Sequence, residues 1–321
     1  MFDIVGLLIL AALATFGAWL ITRARRAKHG AVKWIGLVLS GVMTLAFTLA
    51  ICVALFGYYK LNFPRGPAVV EVKVAGTPEQ LARGAMFAAV CAGCHSPDGK
   101  PPLVGRNFLE GGGPPVGTMY APNLTPGGDI KDWSDGEIIR AIREGVHKSG
   151  RALIIMPSGV FRNLSDSDVQ SIVAYLRSQP ATGATTPPAK LNALGAFLIG
   201  AMLPTAVQPA ITQPVVMPAE GTSPEYGKYL VSVLACTECH GENLAGRPPG
   251  GLGPPAGPSL RAIVPNWTAE NFIHTIRTGL DPSGRKLAPG MPWKEVSAFA
   301  SDDDLSAMYA YLHSLPLNPA R

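Results

Sequence analysis

Two long runs of apolar residues open the chain, and neither has a polar face. Residues 4–22 contain no charged side chain, and residues 34–59 form a second uncharged run that is longer still. A helix over the first run extends about 28 Å, which is enough to cross the hydrocarbon core of a bilayer. Aromatic residues typical of membrane interfaces lie near the ends of the runs: Trp19, Trp34, Tyr58 and Tyr59. The pattern predicts a two-helix transmembrane hairpin over residues 1–60.

The charges between the two runs predict how this hairpin is oriented. Five of the 27 Lys and Arg residues fall between positions 23 and 33, whereas the first 22 residues contain one acid, Asp3. Positively charged loops stay on the cytoplasmic side. We therefore expect everything after Lys60 to lie outside a bacterial cytoplasmic membrane, on its periplasmic face. The alternative of a cleaved signal peptide is disfavoured, because positive charge follows the apolar run and does not precede it.

Composition excludes several classes of protein. Only 15% of the residues are charged and 47% are hydrophobic, which argues against long disordered regions. The 36 Gly and 30 Pro follow no Gly-X-Y period, so a collagen-like chain is excluded. The net charge of +5 suggests an anionic partner, but the chain beyond the basic loop is close to neutral. Without a second basic cluster, we expect no nucleic-acid partner.

The region after the hairpin contains the same pattern twice. A Cys-x-x-Cys-His motif begins at position 91 and again at 236, and the segment 133–145 recurs at 267–279. A Gly-Arg pair, a Met-Pro pair and an Ala-Tyr-Leu run follow in the same order in both copies. Such a series indicates a tandem duplication. We define copy 1 as residues 76–180 and copy 2 as residues 221–316.

Each copy is predicted to be a small helical domain. We expect a helix before each cysteine motif, over residues 78–90 and 224–235. Further helices should begin after residues suited to N-caps: Ser134, Thr268, Ser165 and Ser301. No alternating pattern predicts a strand. The Gly- and Pro-rich stretches 97–128 and 241–265 should therefore be ordered by something other than regular structure.

Residues 181–220 join the two copies and are rich in Pro, Thr and Ala. This composition predicts a linker. Within it, residues 191–203 form an uncharged apolar run that is too short to span a bilayer. We expect a short apolar helix here that packs against a domain, and the alternative is that it lies on the membrane surface.

Four of the five cysteines belong to the two Cys-x-x-Cys-His motifs, and Cys52 lies inside the second apolar run, where a packing role is expected. A disulfide framework would not place His directly after each pair. A thioredoxin-like site lacks this His, and a structural zinc site needs a second ligand pair. The spacing is that of covalent c-type haem attachment. We predict two covalently bound haems c, attached at Cys91, Cys94 and His95 and at Cys236, Cys239 and His240.

Methionine is predicted as the second axial ligand of each iron. Met156 and Met291 are the methionines that occupy equivalent positions in the two copies. The histidines outside the motifs, such as His147 and His274, lack a counterpart in register. The predicted metal ligands are thus His95 with Met156 and His240 with Met291. Such coordination leaves no open position for oxygen or peroxide, which favours electron transfer over catalysis.

These motifs resemble the class I cytochrome c family in a tandem dihaem form. In copy 1, the runs 117–126, 133–137 and 156–157 are most similar to the cytochrome c subunits of membrane-bound alcohol, gluconate and related dehydrogenases. Those subunits usually have three haem motifs and no transmembrane hairpin. The resemblance implies an all-α fold of two tandem class I cytochrome c domains behind a two-helix transmembrane anchor.

The repeated residues also include candidates for roles around the haems, and the resemblance supports the first pair, the two prolines. The carbonyls of Pro122 and Pro258 are expected to accept a hydrogen bond from the haem-binding histidines. Trp133 and Trp267 are candidates for hydrogen bonds to a haem propionate, with a packing role as the alternative. Arg151 and Arg285 are candidates for pairing with propionates, with a solvated surface position as the alternative.

The sequence therefore predicts a membrane-anchored dihaem cytochrome c that relays single electrons and is not itself an enzyme. Its redox partner would be a dehydrogenase, a quinol-oxidising complex or a terminal oxidase, and the chain could be an obligate subunit of one of them. The alternative functions are a dihaem peroxidase, which needs one open iron position, and a haem-based sensor.

Overall fold

Helices dominate the computed structural model, which describes residues 4–63, 66–110, 115–202, 206–248 and 256–316. Helices α1 (Ile4–Arg25) and α2 (Gly30–Asn62) pack along each other as a hairpin. They meet closely at Gly17, where a Cβ atom would lie 2.5 Å from the Oγ1 atom of Thr44. Most of their large apolar side chains are exposed. The expectation of an all-α protein with two apolar helices before two similar regions is confirmed.

Copy 1 combines helices with short strands. Its elements are α3 (Pro78–His95), β1 (Arg106–Asn107), β2 (Gly117–Thr118), β3 (Tyr120–Ala121), α4 (Asp135–Glu144), α5 (Ser158–Phe161) and α6 (Asp166–Ser178), with β2 completed by a strand of the linker. Helices α3 and α6 cross at Gly84, where a Cβ atom would lie 2.0 Å from the carbonyl oxygen of Ser171. This close approach brings the first and last helices of the copy together.

Copy 2 repeats the helical arrangement after the linker. The linker contains β4 (Lys190–Leu191), α7 (Ala193–Gly195) and a π-helical segment (Ala196–Met202). Copy 2 contains α8 (Pro224–Val233), α9 (Cys236–His240), α10 (Leu260–Ile263), a 3₁₀ turn (Val264–Asn266), α11 (Ala269–Thr278), α12 (Trp293–Phe299) and α13 (Asp302–Ser314). Helices α8 and α13 cross at Gly227, in the same way as α3 and α6 cross at Gly84.

The first helix of each copy differs from its prediction in length. Helix α3 continues through the cysteine motif to His95, five residues beyond the predicted end. In copy 2, helix α8 ends at Val233, and the motif occupies the separate helix α9. The break lies at Ala235, whose φ of +60° is incompatible with a continuous right-handed helix.

Short strands of two residues form two antiparallel pairs that the sequence did not predict. Strand β1 pairs with β3, and β2 pairs with β4 of the linker. Two residues are too few to show an alternating pattern. Parts of the Gly- and Pro-rich stretches, residues 111–114 and 249–255, lie outside the described residues.

The apolar segment of the linker packs against both the hairpin and copy 1. A Cβ atom on Gly195 would lie 2.3 Å from the carbonyl oxygen of Val116 in copy 1. Helix α7 contacts α1, and the following π-helical segment contacts α2. A Cβ atom on Gly57 would lie 2.1 Å from the carbonyl oxygen of Ala196, so the two backbones touch. The segment therefore lies between the hairpin and copy 1, and its contact with the hairpin adds to the packing against a domain that the sequence predicts.

The two copies share one hydrophobic core. Helix α12 of copy 2 packs on α3 of copy 1, and the rings of Phe87 and Phe299 meet edge to face with centroids 4.9 Å apart. The chain between the copies runs back over copy 1, where the backbone N–H of Asp166 donates to the carbonyl of Val215 at 2.9 Å. Copy 1 is thus joined to the hairpin through the linker segment and packs directly against copy 2.

Candidate functional site

Both cysteine motifs are helical, which places their side chains in a defined order. Cys91, Cys94 and His95 form the end of α3, and the corresponding residues of copy 2 form α9. Residues three apart in a helix lie on the same face, so the two sulfur atoms of each motif share one face. None of the five cysteines is paired in a disulfide.

The first cysteine of each motif is the more deeply placed. Burial, and secondarily the neighbouring cysteine, raises the pKa of Cys91 and of Cys236 to about 12. Thiol–disulfide catalysts need a cysteine with a lowered pKa, so the thioredoxin-like alternative is disfavoured. Within the described residues, no group of three His, Cys, Asp or Glu side chains is placed to hold a metal ion by itself.

Each motif histidine is fixed by a proline carbonyl. The Nδ1 atom of His95 lies 2.9 Å from the carbonyl oxygen of Pro122, and that of His240 lies 2.8 Å from the carbonyl oxygen of Pro258. Because a carbonyl only accepts, Nδ1 carries the proton and Nε2 keeps its lone pair. Burial lowers the pKa of both histidines, so the neutral form is favoured. A neutral imidazole with a free Nε2 is the form that binds iron.

The two candidate methionines lie in matching loops. Helices α4 and α11 end at Gly145 and Gly279, which have φ values of +67° and +72°. In each loop, a leucine N–H returns to the carbonyl of this glycine at 2.8 Å, from Leu153 and from Leu287. The left-handed conformation favours glycine at both places. The loops therefore leave their helices in the same direction.

The Met-Pro pairs at the ends of these loops also match. The carbonyl of Met156 accepts the N–H of Ser158 at 2.8 Å, and that of Met291 accepts the N–H of Trp293 at 2.8 Å. Pro157 and Pro292 have nearly identical backbone angles and begin α5 and α12. Both methionines are half-buried against the core. The backbone therefore follows the same path at both methionines.

This duplicated arrangement agrees with comparison to known proteins. The family model of cytochrome c matches residues 81–180 and 224–316, which together are more than half of the chain. The chain belongs to the cytochrome c family. Membership implies covalently bound haem c, and the thiols, histidines and methionines described above are a donor set that fits this group.

Three relatives of this cytochrome illustrate its context. It is 31% identical to a nicotinate dehydrogenase subunit of Pseudomonas putida, 28% to the fructose dehydrogenase cytochrome subunit of Gluconobacter japonicus, and 28% to the cytochrome c subunit of a quinone alcohol dehydrogenase of Gluconobacter oxydans. The matches cover 74%, 72% and 71% of this chain, but 22%, 51% and 53% of the relatives. The cytochrome thus spans about half the length of the last two.

The tryptophans that open the second repeated block have different neighbours. Trp133 is half-buried, and its ring meets that of His147 edge to face with centroids 4.9 Å apart. The carbonyl of Trp267 accepts a hydrogen bond from the hydroxyl of Tyr309 at 2.9 Å. Neither indole N–H donates to another residue in the described part of the cytochrome. A role toward a haem propionate remains a prediction for both.

The two candidate propionate-binding arginines are unlike each other. Arg285 is exposed and pairs with Asp281 at 3.0 Å. Arg151 is half-buried, its hydrogen bond goes to the carbonyl of Ala152 at 3.4 Å, and burial lowers its pKa. Among the described residues, Arg151 forms no ion pair, and it is more buried than Arg285. Of the two, Arg151 is therefore the better candidate for pairing with a propionate.

A second pair of arginines, which the sequence comparison missed, lies beside the cysteine motifs. Arg106 donates to the carbonyl of Gly93 at 3.2 Å, and Arg247 donates to that of Glu238 at 2.9 Å. Both carbonyls belong to the residue before the second cysteine. Each arginine follows a glycine whose N–H donates to the motif histidine's carbonyl at 2.8 Å. These arginines could have been found in the sequence, because a Gly-Arg pair that begins at position 105 recurs at position 246.

Proposed function

We propose that this cytochrome is a membrane-anchored carrier of single electrons that holds two covalently bound haems on the periplasmic side of a bacterial cytoplasmic membrane. The observation that carries the proposal is that the residues predicted to bind haem, and the backbone around them, occur twice in the same arrangement. Both copies combine a helical cysteine motif, a histidine fixed by a proline carbonyl, and a methionine in a loop of the same conformation. When bound, each haem supplies one-electron chemistry at its iron.

The protein's own residues would hold and tune these groups. The cysteines would attach the macrocycle, and the bond from His95 to Pro122 would keep the imidazole plane fixed and raise its basicity. Met156 and Met291 would complete the coordination, which raises the reduction potential and excludes small ligands. Because both copies keep this methionine loop, the peroxidase alternative is not favoured, and we propose no catalytic residue.

The hairpin supports the membrane proposal. Helices α1 and α2 are long and apolar enough to cross a bilayer. Only 6% and 11% of the residues in their most apolar 18-residue stretches are buried inside the protein. A soluble protein would hide such surfaces. The linker segment meets the hairpin at Gly6 and Gly57, and these two residues lie at the end opposite to the basic loop. The cytochrome copies and the loop would therefore lie on opposite sides of the membrane.

This orientation predicts which lysines an external reagent reaches. In intact spheroplasts, a membrane-impermeant amine reagent should modify the exposed side chains of Lys100 and Lys294 but not Lys28 in the basic loop. Peptide mass spectrometry of the extracted protein measures the modification at each lysine. Permeabilised cells are the control, in which Lys28 should react as well. Modification of Lys28 in intact spheroplasts, with Lys100 protected, would contradict the proposed topology and indicate the opposite orientation.

The relatives suggest the kind of partner. All three are named as dehydrogenase subunits, and two of them are named as cytochrome subunits. We therefore propose a dehydrogenase as the electron donor to this cytochrome, with a quinol-oxidising complex or a terminal oxidase as alternatives. The two transmembrane helices, whose surfaces are exposed, would contact lipid or the helices of such a partner.

The partner proposal predicts the result of a gentle purification. After extraction in mild detergent, the tagged cytochrome should retain an oxidoreductase subunit, and the substrate of that subunit should reduce the haems within the complex. Absorbance of the reduced haem measures the transfer, and the complex dissociated with a harsher detergent is the control. Recovery of the cytochrome alone, fully able to exchange electrons with a soluble acceptor, would instead indicate a freestanding carrier.

A further inference from the structure

The last helix of each copy begins with the same Ser-x-x-Asp pattern, but the two aspartates act differently. In copy 2, the N–H of Ser301 donates to Asp304 at 2.8 Å, and the N–H of Asp304 donates to the Ser301 hydroxyl at 3.1 Å. This is a closed capping box within one helix. In copy 1, the N–H of Asp168 likewise donates to the hydroxyl of Ser165, at 3.0 Å. The other half of this box is missing.

A residue of copy 2 takes the missing place. The N–H of Ser165 donates to the hydroxyl oxygen of Tyr229 at 2.9 Å, and this hydroxyl donates to the carboxylate of Asp168 at 2.5 Å. Tyr229 lies on α8, so a hydroxyl from copy 2 is inserted between the backbone and the carboxylate that cap α6 of copy 1. The two copies thereby share one helix cap.

The displaced carboxylate forms a second connection. The guanidinium of Arg83 on α3 contacts both oxygens of Asp168, through Nε at 2.7 Å and Nη2 at 3.1 Å. Its remaining nitrogen, Nη1, donates to the hydroxyl of Tyr226 on α8 at 3.3 Å. Arg83 therefore joins the aspartate of its own copy to a tyrosine of the other, in a bidentate geometry that allows little rotation.

The network is buried, so it tolerates only one arrangement. The Asp168 side chain is 2% exposed, and both tyrosines are buried. Burial, with the neighbouring Asp168 carboxylate, raises the pKa of Tyr229, so the hydroxyl keeps the proton that it donates. A buried charge that loses a partner is strongly destabilised. Apolar contacts between the copies, such as Phe87 with Phe299, have no such directional requirement.

We infer that Tyr229, Asp168 and Arg83 are positioning residues that fix the orientation of copy 2 relative to copy 1, and thereby the path of electrons between the two haems. The effect on electron transfer rests on the proposed dihaem function, whereas the fixed orientation of the two copies does not depend on it. The chain between the copies is tied to copy 1 as far as Val215 and Met217. Beyond this point copy 2 is held by the network and by the apolar contacts of α12 with α3 and of α8 with α5.

The variant Tyr229→Phe tests this inference with the smallest change. Asp168 keeps both of its contacts with Arg83, so each copy should keep its fold, its haem spectrum and its reduction potential. Electron transfer between the haems, followed after flash photoreduction, should slow severalfold, because the rate falls with each ångström added between the two haem edges. Asp168→Asn should have a similar effect. The matched control is Glu137→Gln, which alters the closed capping box that Ser134 and Glu137 form on α4, outside the network, and should leave the rate unchanged.

Hydrogen–deuterium exchange of the full-length protein provides a readout that does not depend on haem. In Tyr229→Phe, amides at the start of α6 and in α8 and α12 should exchange faster than in the wild type, whereas those of α4 and α11 should not. Unchanged exchange at the interface, or equal slowing of electron transfer in Glu137→Gln, would overturn the inference. A chain with fewer than two haems that still shows this pattern would contradict the proposed function and support the orientation role.

Discussion

Replacing Met156 by alanine should remove about half of the sulfur-to-iron absorption band at the red end of the visible spectrum, and Met291→Ala should remove the other half. Each change deletes the sulfur that the equivalent loops of the two copies present. Loss of a methionine ligand should also lower the midpoint potential of one haem, on the order of 0.1–0.3 V within the roughly 0.8 V that axial ligands span. Redox titration of the two variants measures this shift.

Two other methionines serve as controls for these variants. Met119 of copy 1 and Met308 of copy 2 are buried in the core. Their replacement by leucine should leave the absorption band and both potentials unchanged, because the volume is nearly kept. If Met156→Ala or Met291→Ala left the band intact, that methionine would not be the ligand. A large high-spin fraction in the ferric wild type would instead support the peroxidase alternative.

Removing one cysteine pair should remove one haem and leave the other in place. The double variant Cys91→Ala/Cys94→Ala should carry covalent haem only on copy 2, and Cys236→Ala/Cys239→Ala should carry it only on copy 1. The reason is that each motif lies in its own helix with its own histidine and proline carbonyl. Haem content per chain, measured from the pyridine haemochrome spectrum, should fall by half in both variants.

The control for the cysteine variants is Cys52, which lies on α2 and is exposed there. Cys52→Ala should retain the full haem content, because this residue belongs to neither motif. Loss of all haem in one double variant would show that the two copies do not bind haem independently. No change in haem content would contradict attachment at the substituted pair.

Much of the local structure could be predicted from the sequence because its signals are contained within a few residues. Ser134 and Glu137 form both halves of a capping box, and Thr268 caps α11. The equivalent positions of the cysteine motifs and of the Met-Pro pairs are likewise visible in the sequence alone. Each of these features depends on side chains and backbone groups that are neighbours along the chain.

Features that depend on distant contacts could not be predicted in this way. Ser165 has the same pattern as Ser301, but its cap is completed by Tyr229 from the other copy. The apolar linker segment packs on α2 at Gly57, which nothing in its own sequence specifies. The arginines beside the motifs escaped notice because the Gly-Arg pairs lie at different distances from their histidines, at positions 105 and 246.

The central claim is that one chain carries two covalently attached haems, one in each copy. The most direct test is the mass of the intact wild-type protein, extracted from membranes and measured under conditions that keep thioether bonds. We predict the mass of the polypeptide plus two haem groups. A mass that corresponds to one haem or to none, in protein from cells able to attach haem c, would contradict the account.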